Sequence, residues 1–159
     1  MAIIKKRDNS IYALTALGAV TVFLGHGLWA IGGKDSFVKL LSDSFENVLG
    51  VTIDPDSAVN WVKIIGWIDI AVAIVLALAA IGYLYKKASP ALQNLAVSKL
   101  VLALYAWGVI WGFLTALSRV TAAGDFYPEI WDFVERGPNF IIPAIGFILT
   151  SRARNGKKN

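Results

Sequence analysis

The sequence predicts an all-α membrane protein, a bundle of four transmembrane helices with a short amphipathic helix in the first outer loop. Three observations predict this class. Apolar residues make up 57% of the chain, and the mean hydropathy of +0.61 exceeds the usual value for a soluble domain. The apolar residues occur in long runs, and the basic residues lie in short blocks beside those runs. Residues 1–159 are therefore predicted to form a single membrane domain.

Three apolar runs are long enough to cross a membrane as α-helices. They cover residues of about 11–31, 61–84 and 98–119, and each can cross a hydrocarbon core of about 30 Å. A fourth span is predicted over residues of about 129–151, although charged residues and prolines stand within it. Gly137-Pro138 and Pro143 should interrupt its hydrogen bonding, and such breaks are tolerated in membranes where they line a cavity.

The first outer loop predicts a short amphipathic helix over residues of about 36–49. Asp35 or Ser36 is expected to cap its start, and Gly50 is expected to end it. Apolar residues recur at helical spacing along one face: Phe37, Leu40, Leu41, Phe45, Val48 and Leu49. This face must be buried, so the helix is predicted to lie on the outer surface or to cover the bundle.

The basic residues predict the orientation of the chain in the membrane. Cytoplasmic loops are enriched in Lys and Arg, so both termini are predicted to be cytoplasmic. If the four spans alternate in direction, one side receives Lys5, Lys6, Arg7, Lys86, Lys87, Lys99, Arg152, Arg154, Lys157 and Lys158. The same arrangement accounts for the net charge of +4 without a nucleic-acid partner.

Ionisable residues from different spans are predicted to share one layer in the outer half of the membrane. Counted along each helix from its middle, His26 and Asp69 lie at the same level, and Glu135 and Arg136 fall at about that depth. Charged groups in a bilayer are costly unless they face a partner, the bundle interior or water. Gly66, three residues before Asp69, predicts a close helix approach that turns this carboxylate inward. The layer is therefore a candidate site.

The candidate site is predicted to be an outward-facing pocket, polar at its mouth and aromatic below. Its residues, as a binding pocket or a polar cluster, are His26, Asp69, Trp67, Trp107, Trp111, Thr115, Arg119, Glu135, Arg136 and Asn139. His26 and Asp69 are the candidate catalytic residues. A structural interpretation is also open, in which Arg136 neutralises Asp69 or Glu135 in an ion pair that locks the helices. The aromatic rings are compatible with a quinone, haem or pigment, but the sequence requires no cofactor and no metal.

Two short patterns resemble a known family. Phe23-Leu24-Gly25-His26-Gly27 near the outer end of the first span, an amphipathic segment, and then Gly66-Trp67-Ile68-Asp69 in the second span resemble the DoxX-like group of small four-helix integral membrane proteins. The resemblance implies the four-helix fold and the inner membrane of a prokaryote. Members of this group include a small subunit linked to thiosulfate oxidation with quinone as acceptor. The resemblance does not identify any catalytic residue of this sequence.

These observations favour an accessory subunit of a larger membrane complex, with a quinone-linked redox system as the candidate. Its expected partners are membrane lipid and other membrane-protein subunits. The alternative is a membrane oxidoreductase component in which His26 and Asp69 act on a quinone or another small molecule in the outward-facing pocket. A third interpretation is a small transporter or proton channel. It is disfavoured because the inner half has no visible polar path, and its most polar residues are Thr15 and Ser98.

Overall fold

The structure, a computed structural model, describes residues 2–85, 87–124 and 130–156, with side chains from residue 9 onward. All regular secondary structure in these residues is helical. The helices are α1 (Ala2–Ile31), α2 (Asp35–Leu49), α3 (Pro55–Leu84), α4 (Pro90–Ala96), α5 (Lys99–Ala123), α6 (Ile130–Glu135) and α7 (Pro138–Gly156).

Three of these helices are long and apolar enough to cross a membrane. They are α1 over Asn9–Ile31, α3 over Pro55–Leu84 and α5 over Lys99–Ala123. The prediction of an all-helical chain with membrane-spanning helices is confirmed at this level. Helix α3 begins earlier than predicted because Asp54 Oδ2 accepts a hydrogen bond from the Ser57 N–H at 3.0 Å and Pro55 occupies the first turn.

The predicted fourth span over residues 129–151 is not a single helix. Arg136 and Gly137 form a turn between α6 and α7, and residue 129 lies outside the described part of the chain. The break falls at the Gly137-Pro138 pair, where the sequence predicted it. Pro143 remains inside α7 and packs closely against α5. A Cβ added at Gly108 of α5 would lie 3.0 Å from the Cβ of Pro143. Pro138 therefore follows the break between α6 and α7, whereas Pro143 is accommodated within α7.

The long helices are arranged around one apolar core in the order α3, α1, α7, α5. Helix α1 packs along α3 and also against α7, and α5 packs along α7. The contact between α3 and α5, which closes the ring, is the smallest of these four neighbouring pairs. The core cluster consists of Ala19, Phe23, Val72, Ala73, Leu76, Ala79, Val101 and Tyr105. Helix α2 covers the C-terminal end of α5 and the N-terminal end of α3. Helix α4, which was not predicted from the sequence, packs on the C-terminal end of α3.

Gly27 of α1 and Gly66 of α3 form the closest approach between these two helices. A Cβ added at Gly27 would stand 2.8 Å from the Gly66 carbonyl oxygen, and a Cβ added at Gly66 would stand 2.8 Å from the Gly27 carbonyl oxygen. Both distances are shorter than real Cβ contacts, so neither position accepts a side chain unless the helices move apart. The contact places His26 and Asp69, the neighbouring polar residues, on the inner faces of their helices.

A methyl group at this crossing is therefore expected to destabilise the bundle. Gly66→Ala should lower the free energy of unfolding by about 1–3 kcal/mol, because the backbone of α1 must shift to admit it. Gly25→Ala is the matched control, since a Cβ at Gly25 meets nothing within 4 Å and alanine favours a helix by up to about 1 kcal/mol. Thermal unfolding of both variants in detergent measures the difference. Equal stability of the two variants would contradict the proposed role of this contact.

Candidate functional site

Helix α2 lies between two glycines in left-handed conformations, Gly33 with φ +66° and Gly50 with φ +65°. Glycine adopts such angles without steric cost, which permits a sharp turn at each end of the helix. Gly50 ends α2 as predicted, but neither Asp35 nor Ser36 caps its start. Lys34 holds the N-cap position without a side-chain cap bond, and its ammonium lies 3.7 Å from the centroid of the Trp29 ring.

Hydrogen bonds hold α2 against the C-terminal end of α5. Asn47 Nδ2 donates to the carbonyl oxygens of Thr121 and Ala122, each at 2.9 Å. The Thr121 hydroxyl donates to Ser44 Oγ at 2.9 Å, and the Ser44 hydroxyl donates to the Ser118 carbonyl at 3.3 Å. The last carbonyls of a helix lack partners within the helix, so α2 satisfies groups that would otherwise need water.

A cavity of about 410 Å³ lies beneath α2, and we call it the outer cavity. Its walls come from α1, α2, α3 and α5, the turn after α6 and the first turn of α7. Most of the lining is apolar: Phe37, Leu40, Leu41, Phe45, Val48, Leu49, Val62, Ile65, Leu114 and Leu117. Sites for small molecules are mostly apolar, with a few convergent polar groups and volumes of about 300–1,000 Å³. The outer cavity has the size and the lining of such a site.

Seven of the residues singled out from the sequence meet at the outer cavity: His26, Asp69, Trp111, Thr115, Arg119, Arg136 and Asn139. They arrive from α1, α3, α5, the turn before α7 and α7 itself. His26 also contacts α2, because its ring packs edge-on against that of Phe37 with centroids 5.9 Å apart. Polar residues from separate segments therefore lie around one space.

Trp67, Trp107 and Glu135 are not part of the outer cavity lining. Trp67 is 63% exposed, because it stands two residues before Asp69 and a helix turns by about 200° over that interval. Trp107 stacks on Trp111 with ring centroids 5.6 Å apart, one turn further from the cavity. Glu135 ends α6 and is exposed, because the break before α7 directs the end of α6 away from the bundle.

Asp69 is the most deeply buried ionisable residue of the site, with 2% of its surface exposed. Within the described residues, neither Asp69 Oδ1 nor Trp111 Nε1 has a hydrogen-bond partner. The indole of Trp111 is nevertheless close enough to interact with the carboxylate. A buried polar group without a partner costs about 1–3 kcal/mol. Both residues line the outer cavity, which is where a bound molecule could supply the missing hydrogen bonds.

The ion pair expected from a purely structural cluster does not form at Asp69. In the described ranges, the ion pair observed joins Lys39 and Asp43 at 2.8 Å on the surface of α2. Arg136 instead donates from Nη1 to the main-chain carbonyl of Asp132 at 3.3 Å. The carboxylate of Asp69 therefore faces the outer cavity without a basic partner from the described part of the chain.

A second group of buried hydroxyls consists of Tyr12 of α1, Tyr105 of α5 and Thr150 of α7, each at most 1% exposed. The Tyr12 hydroxyl is close enough to those of Thr150 and Tyr105 to interact with them, but within the described residues neither Tyr12 nor Thr150 completes a side-chain hydrogen bond of regular geometry. The ring of Tyr12 also stacks on Tyr83 of α3 at 3.8 Å between centroids. The sequence did not predict this group, since Thr15 and Ser98 were the most polar residues expected in the inner half. The available signal was a hydroxyl side chain on each of three apolar helical segments.

No family model, curated protein or solved structure matches this chain. In the described part of the chain, no three His, Cys, Asp or Glu side chains are grouped to hold a metal ion.

Replacing the buried carboxylate is expected to stabilise the protein. Asp69→Leu should raise the free energy of unfolding by about 1–3 kcal/mol, because an unpartnered buried oxygen is removed and the outer cavity has room for the larger side chain. Asp43→Ala is the control, since loss of a surface ion pair changes stability by about 0–1 kcal/mol. Thermal unfolding in detergent measures both variants. A marked loss of stability in Asp69→Leu would mean that this carboxylate has a structural partner.

Releasing α2 from α5 is expected to expose the outer cavity. Asn47→Ala removes two hydrogen bonds, each worth about 1 kcal/mol. Amide hydrogen exchange within Asp35–Leu49 should therefore become several-fold faster, while exchange in α3 stays unchanged. Asn60→Ala, at an exposed position early in α3, serves as the matched control. Unchanged exchange in α2 of the Asn47 variant would show that other contacts hold the helix in place.

Proposed function

We propose that this protein is a membrane-embedded binding subunit that holds a small lipid-like molecule, such as a quinone, in the outer cavity. The observation that carries the proposal is the apolar space of about 410 Å³ under α2, with the buried carboxylate of Asp69 in its wall. An apolar wall suits the body of such a molecule, and His26, Asp69 and Trp111 supply polar contacts for its ring substituents.

The proposal includes a topology of four membrane spans with both termini in the cytoplasm. Helix α7 is the fourth span; its 19 residues extend about 28 Å, and it packs between α1 and α5. Helix α2 is the amphipathic helix, at the outer surface. Trp29, Trp61 and Trp131 are all more than half exposed and suit the outer membrane boundary. The excess of Lys and Arg at the opposite end supports the orientation.

We further propose that the chain works as an accessory subunit of a larger membrane complex, with a quinone-linked system in the inner membrane of a prokaryote as the candidate. The resemblance to the DoxX-like group supports this assignment. The described residues form a binding space rather than an evident catalytic set, which also favours a subunit that supplies a binding site to a complex.

A catalytic role in quinol chemistry is the second candidate, and one observation favours it. His26 and Asp69 line the same cavity from two different helices, so both can reach a bound ring. Under this candidate, His26→Ala and Asp69→Asn each leave the protein folded but abolish quinol turnover by membranes that contain it. Under the binding role, the same variants lose bound ligand, and turnover falls only in proportion to that loss.

Filling the outer cavity tests the binding role directly. The double variant Leu41→Trp with Thr115→Phe places two large rings in the space and should reduce the co-purified lipophilic molecule at least tenfold. Leu78→Trp is the control, because Leu78 lies on the exposed side of α3 and outside the cavity lining. Organic extraction of protein purified in mild detergent, followed by mass spectrometry, measures the ligand per chain. Equal ligand content in all three proteins would contradict the proposal.

A further inference from the structure

Two buried polar atoms of opposite hydrogen-bonding character belong to residues that line the outer cavity. Asp69 Oδ1 is an acceptor when the carboxylate is ionised, and Trp111 Nε1–H is a donor only. Both are buried, and neither has a hydrogen-bond partner in the described ranges, although the two groups interact. Both residues line the outer cavity. A molecule in that cavity can therefore satisfy both atoms at once.

The charged residues around the outer cavity limit the charge that a bound molecule can carry. An ammonium group would suit Asp69, but Arg119 and Arg136 line the same space and would repel a cation. A carboxylate or phosphate would suit the arginines but would be repelled by Asp69 at the polar wall. An uncharged group that both donates and accepts avoids both penalties.

We propose that the outer cavity recognises a hydroxyl group carried on an apolar ring or chain, with the hydroxyl bound between Asp69 and Trp111. The hydroxyl hydrogen donates to Asp69 Oδ1, and the hydroxyl oxygen accepts from the Trp111 indole N–H. A ketone or an ether can accept from Trp111 but offers nothing to Asp69, so the site selects alcohols and phenols over both. This inference rests on the proposed binding role. Within that role it favours the quinol, which carries hydroxyls, over the quinone, whose carbonyls can only accept hydrogen bonds.

A matched pair of probes tests the hydroxyl requirement. 2-Naphthol and 2-methoxynaphthalene share an apolar ring system and an oxygen acceptor, but only 2-naphthol has a hydrogen to donate. Equilibrium dialysis against protein in nanodiscs, with empty nanodiscs to subtract partitioning into lipid, measures saturable binding of each probe. The native protein should bind 2-naphthol at least tenfold more tightly, because a buried hydrogen bond to a charged group is lost with the methyl ether.

Three variants assign that preference to the two atoms. Asp69→Leu should remove the preference by weakening 2-naphthol to the level of the ether. Trp111→Phe should weaken both probes, because both accept from the indole. Trp107→Phe is the control and should bind both as the native protein does, since Trp107 stacks on Trp111 but lies outside the cavity lining.

The possible results separate the two proposals. Saturable binding of both probes with equal affinity, or a preference that survives in Asp69→Leu, would overturn the hydroxyl inference and leave the binding role standing. Absence of saturable binding for either probe would overturn both. A preference for the ether would also overturn the inference, because the hydroxyl hydrogen would then gain nothing at Asp69.

Discussion

The backbone contact between Gly27 and Gly66 is the constraint on which the rest of the structure depends. Each glycine stands where a side chain would overlap the main chain of the opposite helix, so α1 and α3 meet here in one rotational setting. That setting turns His26 and Asp69 toward the interior. A rotation large enough to break the contact would turn Asp69 toward acyl chains, at a cost of several kcal/mol for a charged group. The position of the candidate site thus follows from two residues without side chains.

Several features could be predicted because they follow from local rules. The inward direction of Asp69 follows from Gly66 one turn before it, and the same helical geometry, applied consistently, would have excluded Trp67 from the site. The break before α7 follows from Gly137-Pro138. The apolar residues of the α2 segment predicted a buried face. That face lines the outer cavity, but Phe45, Val48 and Leu49 remain 39%, 60% and 62% exposed. In each case, spacing along one helix contained the information.

Other features depend on contacts between segments far apart in the chain. The bonds from Asn47 to Thr121 and Ala122 could not be read from either segment alone. The unpartnered state of Asp69 was equally inaccessible, because the cost of an unpaired charge favoured an ion pair of Arg136 with Asp69 or Glu135. The turn that separates α6 from α7 allows Arg136 to bond to the carbonyl of Asp132 instead. Helix α4 was missed because its seven residues are too few for a periodic pattern.

The distribution of polar groups across the bundle bears on what the site can do. The outer cavity and the inner group of Tyr12, Tyr105 and Thr150 are separated along the helices by the apolar side chains of Phe23, Val72 and Leu76. A proton channel needs a continuous set of polar groups or water, and this core interrupts it. A binding site needs only one accessible polar end and an apolar wall, which the space under α2 supplies. If a ligand donates to Asp69 as proposed, binding recovers the free energy lost by leaving this carboxylate unpaired, and the occupied protein is more stable than the empty one.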